Sequence, residues 1–250
     1  MNDFLLTIDV GNTNTKMAVI KLSDYGIIAS KIKPNCQIKK DTFYEDFLNF
    51  KTKFSINYCM ISSVVPTISE IIVDCLKKVG INYYVVEAID NMNMLPLDVD
   101  GKTELGSDIF CGCVASLKYG KDIICIDMGT AITIALVKNG RFIAVAIYPG
   151  VETSFTSLFK NASLLQDVKI EEPKKMIGGN TTDCLQTGMI YGTVGAIKQI
   201  INEYKKYVDS SKVVFTGGAS KTFIKYFENC IYEENLIHFG LVDIYKERNK

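Results

Sequence analysis

The sequence predicts an α/β fold in which mixed β-sheets are covered by helices, arranged as two similar halves, residues 1–118 and 119–250. Three observations support this prediction. Apolar strands occur in hairpin-like pairs, the pairs are followed by helical patterns, and one strand-turn-strand segment is present in each half. The repetition suggests two related halves that face each other.

The first half begins with apolar strands and continues with two helices. Its predicted strands are residues 4–10, 16–21, 27–33, 57–61 and 83–86. The first helix begins near Pro66, because the first turn of a helix does not need the N–H that proline lacks, and it ends at Gly80. A second helix begins at Gly106-Ser107-Asp108 and runs to about Tyr119.

The second half repeats this order of elements. Strands are predicted over residues 123–127, 132–138, 141–147 and 213–215. Asn139-Gly140 predicts a two-residue hairpin turn between the second and third of these strands. A long helix fits residues 182–207, and another helix is expected after Thr216-Gly217-Gly218.

Three glycines of the long helix, Gly188, Gly192 and Gly195, share one face by their spacing. Each interior glycine destabilises a helix by roughly 1 kcal/mol relative to alanine, so close packing should compensate. A contact between two subunits of a dimer would do so, and so would an internal contact with a sheet.

Composition is typical of a soluble globular protein. Hydrophobic residues make up 48% and charged residues 22%, and Lys+Arg and Asp+Glu both number 28. This neutral balance without a basic stripe argues against a nucleic-acid partner. An apolar run of about 18 residues and a basic, cleavable leader are both absent, so neither a membrane span nor export is expected. The 8 cysteines, several inside apolar runs, are typical of buried thiols in a reducing compartment, and we expect a cytoplasmic protein.

The segment shared by the halves is an apolar strand, an Asp-x-Gly turn with polar residues, and a second apolar strand. Its copies are Ile8-Asp9-Val10-Gly11-Asn12-Thr13-Asn14-Thr15 and Ile126-Asp127-Met128-Gly129-Thr130-Ala131-Ile132-Thr133. Glycine lets a turn approach a ligand closely, and exposed turn N–H groups attract anions. An aspartate repels phosphate, but it can hold a metal ion that contacts phosphate oxygens. The two segments therefore predict a site for a Mg2+-bound polyphosphate on which both turns close.

Other phosphate-binding motifs do not explain this pattern. The sequence contains neither the P-loop G-x-x-x-x-G-K-[ST] nor the dinucleotide motif G-x-G-x-x-G. One D-x-G-[NT] segment alone is more typical of an ordinary turn stabilised by its own Asp or Asn side chain. Two copies at strand ends, together with Thr216-Gly217-Gly218 after another buried strand, favour the ligand site.

An ordered set of motifs resembles the type III pantothenate kinases, which belong to the superfamily of acetate and sugar kinases, heat-shock ATPases and actin. The set consists of Asp9-Val10-Gly11-Asn12-Thr13, Ser62-Ser63-Val64-Val65-Pro66, Gly106-Ser107-Asp108, Asp127-Met128-Gly129-Thr130-Ala131-Ile132-Thr133, Ile147-Tyr148-Pro149-Gly150, Ile177-Gly178-Gly179-Asn180-Thr181 and Thr216-Gly217-Gly218. No single motif is decisive, whereas the ordered set is specific.

The resemblance implies a ribonuclease H-like fold in each half, with a nucleotide cleft between the halves, and it implies a homodimer. It also implies transfer of the γ-phosphate of ATP to the primary hydroxyl of pantothenate. This reaction gives 4'-phosphopantothenate and is the first step of coenzyme A synthesis. Mg2+ and a monovalent cation, K+ or NH4+, are the implied cofactors besides ATP.

By position, the resemblance also implies roles for single residues. Asp9 would hold Mg2+, Asp127 would bind potassium and Asp108 would be the general base. An aspartate at a helix N-terminus can accept a proton from a substrate hydroxyl, although many such residues are plain N-caps. The residues implied to contact ATP are Asp9, Val10, Gly11, Asn12, Thr13, Asn14, Thr15, Lys16 and Thr130. Those implied to contact pantothenate are Gly106, Ser107, Asp108, Ile109 and Thr181, the last from the same or the partner subunit.

The acceptor side departs from the family pattern Gly-x-Asp-Arg, because Ile109 stands where the family has arginine. That arginine is expected to bind the substrate carboxylate. Isoleucine cannot form such a charge-assisted hydrogen bond, typically worth about 1.5–3 kcal/mol, and Lys102 is an alternative cation. Three functions therefore stay open: a pantothenate kinase, a kinase of another small hydroxylated metabolite, and a nucleotide-binding regulatory paralogue.

Overall fold

The computed structural model describes residues 3–162 and 168–250, and these contain ten strands and seven α-helices. The strands are β1 (Phe4–Val10), β2 (Asn14–Lys21), β3 (Ile27–Pro34), β4 (Tyr58–Ser63), β5 (Asn82–Val85), β6 (Ile123–Met128), β7 (Ala131–Lys138), β8 (Arg141–Pro149), β9 (Lys212–Thr216) and β10 (Cys230–Tyr232). The helices are α1 (Tyr44–Phe54), α2 (Pro66–Val79), α3 (Ser107–Ser116), α4 (Val151–Asn161), α5 (Thr181–Tyr204), α6 (Ser220–Phe223) and α7 (Leu236–Arg248). Short 3-10 helices cover Asn35–Gln37, Ile89–Asn91, Lys102–Glu104, Leu117–Tyr119 and Ile224–Tyr226.

The first unit comprises Met1–Ala115 and Asn235–Lys250, and it is built on a sheet of strand order β3-β2-β1-β4-β5. Strands β1, β2 and β3 are antiparallel neighbours, while β4 and β5 are added parallel to β1. Apolar residues such as Leu6 and Ile8 of β1 form one core with Phe47 of α1 and Ile72 of α2. Burial of this face against two helices explains why β1 and β4 are apolar along most of their length.

The second unit, Ser116–Glu234, is built on a sheet of strand order β10-β9-β6-β7-β8. Strands β6, β7 and β8 are antiparallel neighbours, while β9 and β10 are added parallel to β6. Ile124 and Ile126 of β6 form a core with Phe155 of α4 and with Ile197 of α5. The order and directions match those of the first sheet, with β6 to β10 in the places of β1 to β5. The predicted α/β fold with two mixed, ribonuclease H-like sheets is thus confirmed.

Helix α7 belongs to the first unit, although the predicted division assigned residues 119–250 to the C-terminal half. The helix packs against β1 and β4. His238 Nδ1 lies 2.9 Å from Thr7 Oγ1 on β1. Gly240 meets helix α3 so closely that an added Cβ would lie 2.0 Å from the carbonyl oxygen of Cys111. These contacts explain why the last helix belongs to the first unit.

Within residues 3–162 and 168–250, no helix combines the length and the apolar character that crossing a bilayer requires.

Candidate active site

The connection between β1 and β2, residues 9–16, is here called the first corner. Asp9 lies near the end of β1, where its pairing partners are Lys16 on β2 and Ser62 on β4. The turn is closed by a hydrogen bond from Gly11 N to Asn14 O of 3.1 Å. Val10 and Thr15 are buried, whereas Asn12 and Thr13 are exposed. The corner therefore presents its turn residues to solvent and keeps its strand ends inside.

Asn35, which follows β3, makes several hydrogen bonds to the first corner. Its side-chain Nδ2 donates to Gly11 O at 2.7 Å and to Asn12 O at 3.0 Å. Its Oδ1 accepts from Thr15 Oγ1 at 3.0 Å, and its backbone N–H donates to Thr13 O at 2.8 Å. Sequence reasoning did not identify Asn35, because nothing in the local pattern marks its partners.

Helix α3 is attached to the end of β4 through Ser107. Its hydroxyl accepts from Ser63 N at 2.8 Å and lies 3.0 Å from the buried hydroxyl of Ser62. Since Ser62 is also the β4 partner of Asp9, this contact places the first residues of α3 beside the first corner. The Ser62-Ser63 motif was identified from the sequence, but its role in seating α3 was not.

Asp108, the predicted general base, lies half-buried in the first turn of α3. Its Oδ1 accepts from Ile109 N at 2.8 Å. A Cβ added to Gly106 would lie 2.6 Å from that oxygen, so a larger residue there would displace the Asp108 carboxylate. Burial raises the pKa of Asp108, against the lowering effect of the hydrogen bond from Ile109 N.

Asp9 and Asp108 both act on one buried thiol, that of Cys111. Burial raises the pKa of Cys111 well above its usual value, and the negative charges of Asp9 and Asp108 raise it further. Two carboxylates that the sequence predicted for one site are therefore brought into a common neighbourhood in the first unit. Of the two, Asp9 keeps 7% of its surface exposed.

The connection between β6 and β7, residues 127–133, is here called the second corner. Gly129 N donates to Ala131 O at 3.0 Å, so this turn is closed one residue earlier than its counterpart. A Cβ added to Gly217, whose φ is +90°, would lie 2.3 Å from Asp127 Oδ1. A Cβ added to Gly150 would lie 2.4 Å from Gly129 O. The Pro-Gly and Thr-Gly-Gly motifs therefore let two backbone segments pack directly on the second corner.

Thr130, predicted to contact ATP, is exposed at the tip of the second corner. Its carbonyl oxygen accepts from Gly150 N at 3.1 Å and from Thr153 Oγ1 at 2.7 Å. Thr153 was not identified from the sequence. Gly150 and Thr153 lie at the start of helix α4, so these two bonds fix the backbone of the tip to that helix.

Thr181 begins helix α5 and is exposed. The neighbouring Asp183 is buried and accepts from the backbone N–H groups of Lys174, Lys175 and Asn180 at 2.9, 3.3 and 3.2 Å. Burial opposes ionisation of Asp183, but these hydrogen bonds outweigh it and lower its pKa. Asp183 thus fixes the segment that leads into Thr181, a role that sequence reasoning did not assign.

The two aspartates predicted to hold cations stand in different donor environments. Among the described residues, no group of three or more His, Cys, Asp or Glu side chains could hold a metal ion. Mg2+ is commonly bound by one or two carboxylates together with substrate phosphates and water, and a single Asp9 beside an exposed turn fits that mode. Asp127, near the end of β6, offers one carboxylate, which is a hard oxygen donor of the kind that a monovalent cation needs.

Comparison with solved structures agrees with this fold. The chain resembles component A of the (R)-2-hydroxyglutaryl-CoA dehydratase of Acidaminococcus fermentans, with a TM-score of 0.56 over 99% of each chain. Because the two sequences are only 12% identical, the likeness concerns the fold alone.

Comparison of sequences identifies the family. The chain is 31% identical over 230 residues to the type III pantothenate kinase of Petrotoga mobilis, covering 88% of each chain. It is 32% identical over 255 residues to that of Persephonella marina, covering 96% of this chain and 98% of that one. The sequence profile of the type III pantothenate kinases matches residues 5–203. The chain therefore belongs to the type III pantothenate kinase family.

Proposed function

We propose that the protein transfers the γ-phosphate of ATP to the primary hydroxyl of pantothenate, in the cytoplasm, as the first step of coenzyme A synthesis. Membership in the family supports the reaction. The observation that carries the assignment to this site is the contact between the hydroxyls of Ser62 and Ser107, because Ser62 is the β4 partner of Asp9 and Ser107 directly precedes Asp108. One carboxylate suits a metal ion on the nucleotide, and the other suits a proton acceptor.

On the nucleotide side, the first corner from Asp9 to Lys16 binds the phosphates of ATP, and Thr130 makes a further contact with ATP. The turn of the first corner is exposed at Asn12 and Thr13, and the backbone of such a turn attracts anions. Asp9 would hold Mg2+, which would supply positive charge close to the phosphate oxygens. Asp127 binds the monovalent cation, K+ or NH4+.

On the acceptor side, Asp108 accepts the proton of the pantothenate hydroxyl as that oxygen attacks the γ-phosphorus, and ADP leaves. Burial raises the pKa of Asp108, which makes its carboxylate a stronger base than that of an ordinary aspartate. Gly106, Ser107, Ile109 and Thr181 complete the acceptor contacts. Ile109 is half-buried and places an apolar side chain next to the base.

The homodimer is part of the same proposal. Gly188, Gly192 and Gly195 of α5 are exposed, and a Cβ added to any of them would meet no atom within 4 Å. The glycine face is therefore not used for internal packing against the described residues, which favours the dimer contact over the internal one. Size-exclusion chromatography with light scattering should give twice the mass of 27.9 kDa. A monomer at micromolar concentration would contradict this part.

The direct test is turnover by the purified protein with ATP, Mg2+ and pantothenate. Mass spectrometry should detect 4'-phosphopantothenate, and the rate should be higher in K+ or NH4+ than in Na+. Because Ile109 replaces a cation on the acceptor side, the same assay should include other small hydroxylated metabolites. If one of these acceptors gave faster ADP release than pantothenate, that acceptor would be the substrate instead. ATP binding without turnover of any acceptor would instead favour a regulatory protein.

A further inference from the structure

Asn35 lies outside the segment that the motif defines, yet it contacts most of the turn. It is separated from Gly11 by 24 positions in the sequence and follows directly on the edge strand β3. Its four hydrogen bonds reach Gly11, Asn12, Thr13 and Thr15. No single residue of the turn itself could make these contacts, because they require a partner from a neighbouring strand.

The orientation of the Asn35 amide is dictated by its partners. Two carbonyl oxygens, those of Gly11 and Asn12, lie within 3.0 Å of Nδ2, and only a donor is favourable there. The hydroxyl of Thr15 lies 3.0 Å from Oδ1 and can donate to it. A flipped amide would set its oxygen against two carbonyl oxygens, so the observed orientation is the stable one.

These bonds determine where the N–H groups of the turn point. In a planar trans peptide the carbonyl and the next N–H point in opposite directions. Because the carbonyls of Gly11 and Asn12 face Asn35, the N–H groups of Asn12 and Thr13 face the opposite side. Successive N–H groups pointing the same way form a concavity for an anion.

We propose that Asn35 is a positioning residue that holds the first corner in the conformation that binds the phosphates of ATP. The inference rests on the proposed function, since it deepens the role given to this corner. Asn35 does not need to touch the nucleotide, because it acts through the peptide groups of Gly11 to Thr13. Its loss should weaken nucleotide binding without changing the acceptor side.

The test measures MgATP binding by isothermal titration to the wild type and to Asn35→Ala, Asn35→Asp and Asn49→Ala. Asn35→Ala removes the three side-chain hydrogen bonds, so the dissociation constant should rise about 10- to 100-fold. Asn35→Asp keeps the size of the side chain but sets an oxygen against two carbonyls, and the rise should be at least as large. Asn49, an exposed asparagine on α1 of the same unit, provides the matched control, which should bind like the wild type.

A purely structural role predicts a different outcome. In that case the variants would melt at lower temperature but bind MgATP within about twofold of the wild type, and the inference would be overturned. In turnover, the KM for ATP should rise while the KM for pantothenate stays unchanged. The binding assay needs no acceptor, so wild-type protein that fails to bind MgATP would refute the proposed function. Wild-type binding with unaffected Asn35 variants would refute only the role of Asn35.

Discussion

The first corner and the second corner occupy equivalent positions in sheets of the same strand order, yet they are held by different kinds of contact. The first is held by four hydrogen bonds of one residue, Asn35. Its side chain donates to two carbonyl oxygens and accepts from one hydroxyl, and its backbone N–H donates to a third carbonyl oxygen. The second is held by backbone segments that pack against it at Gly150 and Gly217. The same short motif is therefore stabilised by the hydrogen bonds of one distant residue in the first unit. In the second unit it is stabilised by close packing at two glycines, together with hydrogen bonds to Thr130 O.

Because of this difference, the two corners should tolerate different substitutions. A hydrogen-bonded turn can lose one contact and keep its chain path, because water replaces the missing partner at an exposed site. A turn held by glycine contacts cannot accept a side chain without displacing the backbone. Substitution near the first corner should therefore affect ligand binding more than stability, and near the second corner the reverse should hold.

Substitution of Asp108 should have the greatest effect, because we assign the general base to this residue of the first unit and no such role to the second unit. Asp108→Asn removes the proposed proton acceptor, and kcat should fall by about 10^2 to 10^4. Because burial raises the pKa of Asp108, its ionised form opposes folding at neutral pH, and the neutral amide removes that penalty. The variant should therefore unfold at a higher temperature than the wild type. Steady-state kinetics and a thermal melt check the two effects together.

The control for this change is Asp74→Asn, on the exposed side of α2 in the same unit. It should leave both kcat and the melting temperature unaltered. If Asp108→Asn turned over at the wild-type rate, the base would have to be another residue. The catalytic asymmetry between the two units would then lose its basis.

The next effect compares Gly11 of the first corner with Gly217, which packs on the second corner. Gly217 has a φ of +90°, and an added Cβ would lie 2.6 Å from Met128 N, so Gly217→Ala should destabilise the fold by about 2–4 kcal/mol. Gly11 has no neighbour closer than 3.5 Å to an added Cβ, so Gly11→Ala should change stability by less than about 1 kcal/mol. Urea unfolding of both variants measures the difference.

Ligand binding completes this comparison. Gly11→Ala should weaken MgATP binding, since the methyl group lies where the phosphates approach the turn, while its unfolding midpoint stays near that of the wild type. Equal losses of stability in Gly11→Ala and Gly217→Ala would show that the two corners are held in the same way. The distinction between hydrogen bonding and close packing would then be wrong.

Much of the fold could be predicted because the strands are short apolar runs with clear ends. Helix α2 could also be placed, since Pro66 begins it and Gly80, with a φ of +71°, ends it as predicted. Helices α1, α4 and α7 were not predicted. The sequence of α4 is rich in Ser and Thr, which favour turns as much as helices, and α7 has buried residues on several sides instead of one stripe.

The candidate site could be predicted only where a motif contains its own contacts. Asp9, Asp108 and Asp127 were identified because each lies near the end of a strand or in the first turn of a helix, within a recognisable segment. Asn35 and Thr153 act on carbonyl groups 24 and 23 positions away, and no local pattern encodes such pairs. Gly150 and Gly217, which pack on the second corner, were noted from the sequence as parts of motifs. Only the structure shows that a side chain at either position would collide with the second corner.

A smaller effect is expected on the pH dependence of stability. The single histidine of the sequence lies in the first unit, so this dependence should differ between the units. His238 is buried beside Thr7, and burial, with a further contribution from Lys16, lowers its pKa to about 3. The unfolded chain therefore binds a proton near pH 6.5 that the folded chain refuses, so stability is lost as the pH falls below that value. The loss should reach about 1 kcal/mol by pH 5.5, and His238→Gln should reduce it. Urea unfolding at pH 7.5 and 5.5 measures both proteins, and a pH dependence identical in the two would mean that folding does not lower the pKa of His238. The second unit contains no histidine, so only the first unit should lose hydrogen-exchange protection between pH 7.5 and pH 5.5. This measurement would compare the stability of the two units without a substitution in either corner.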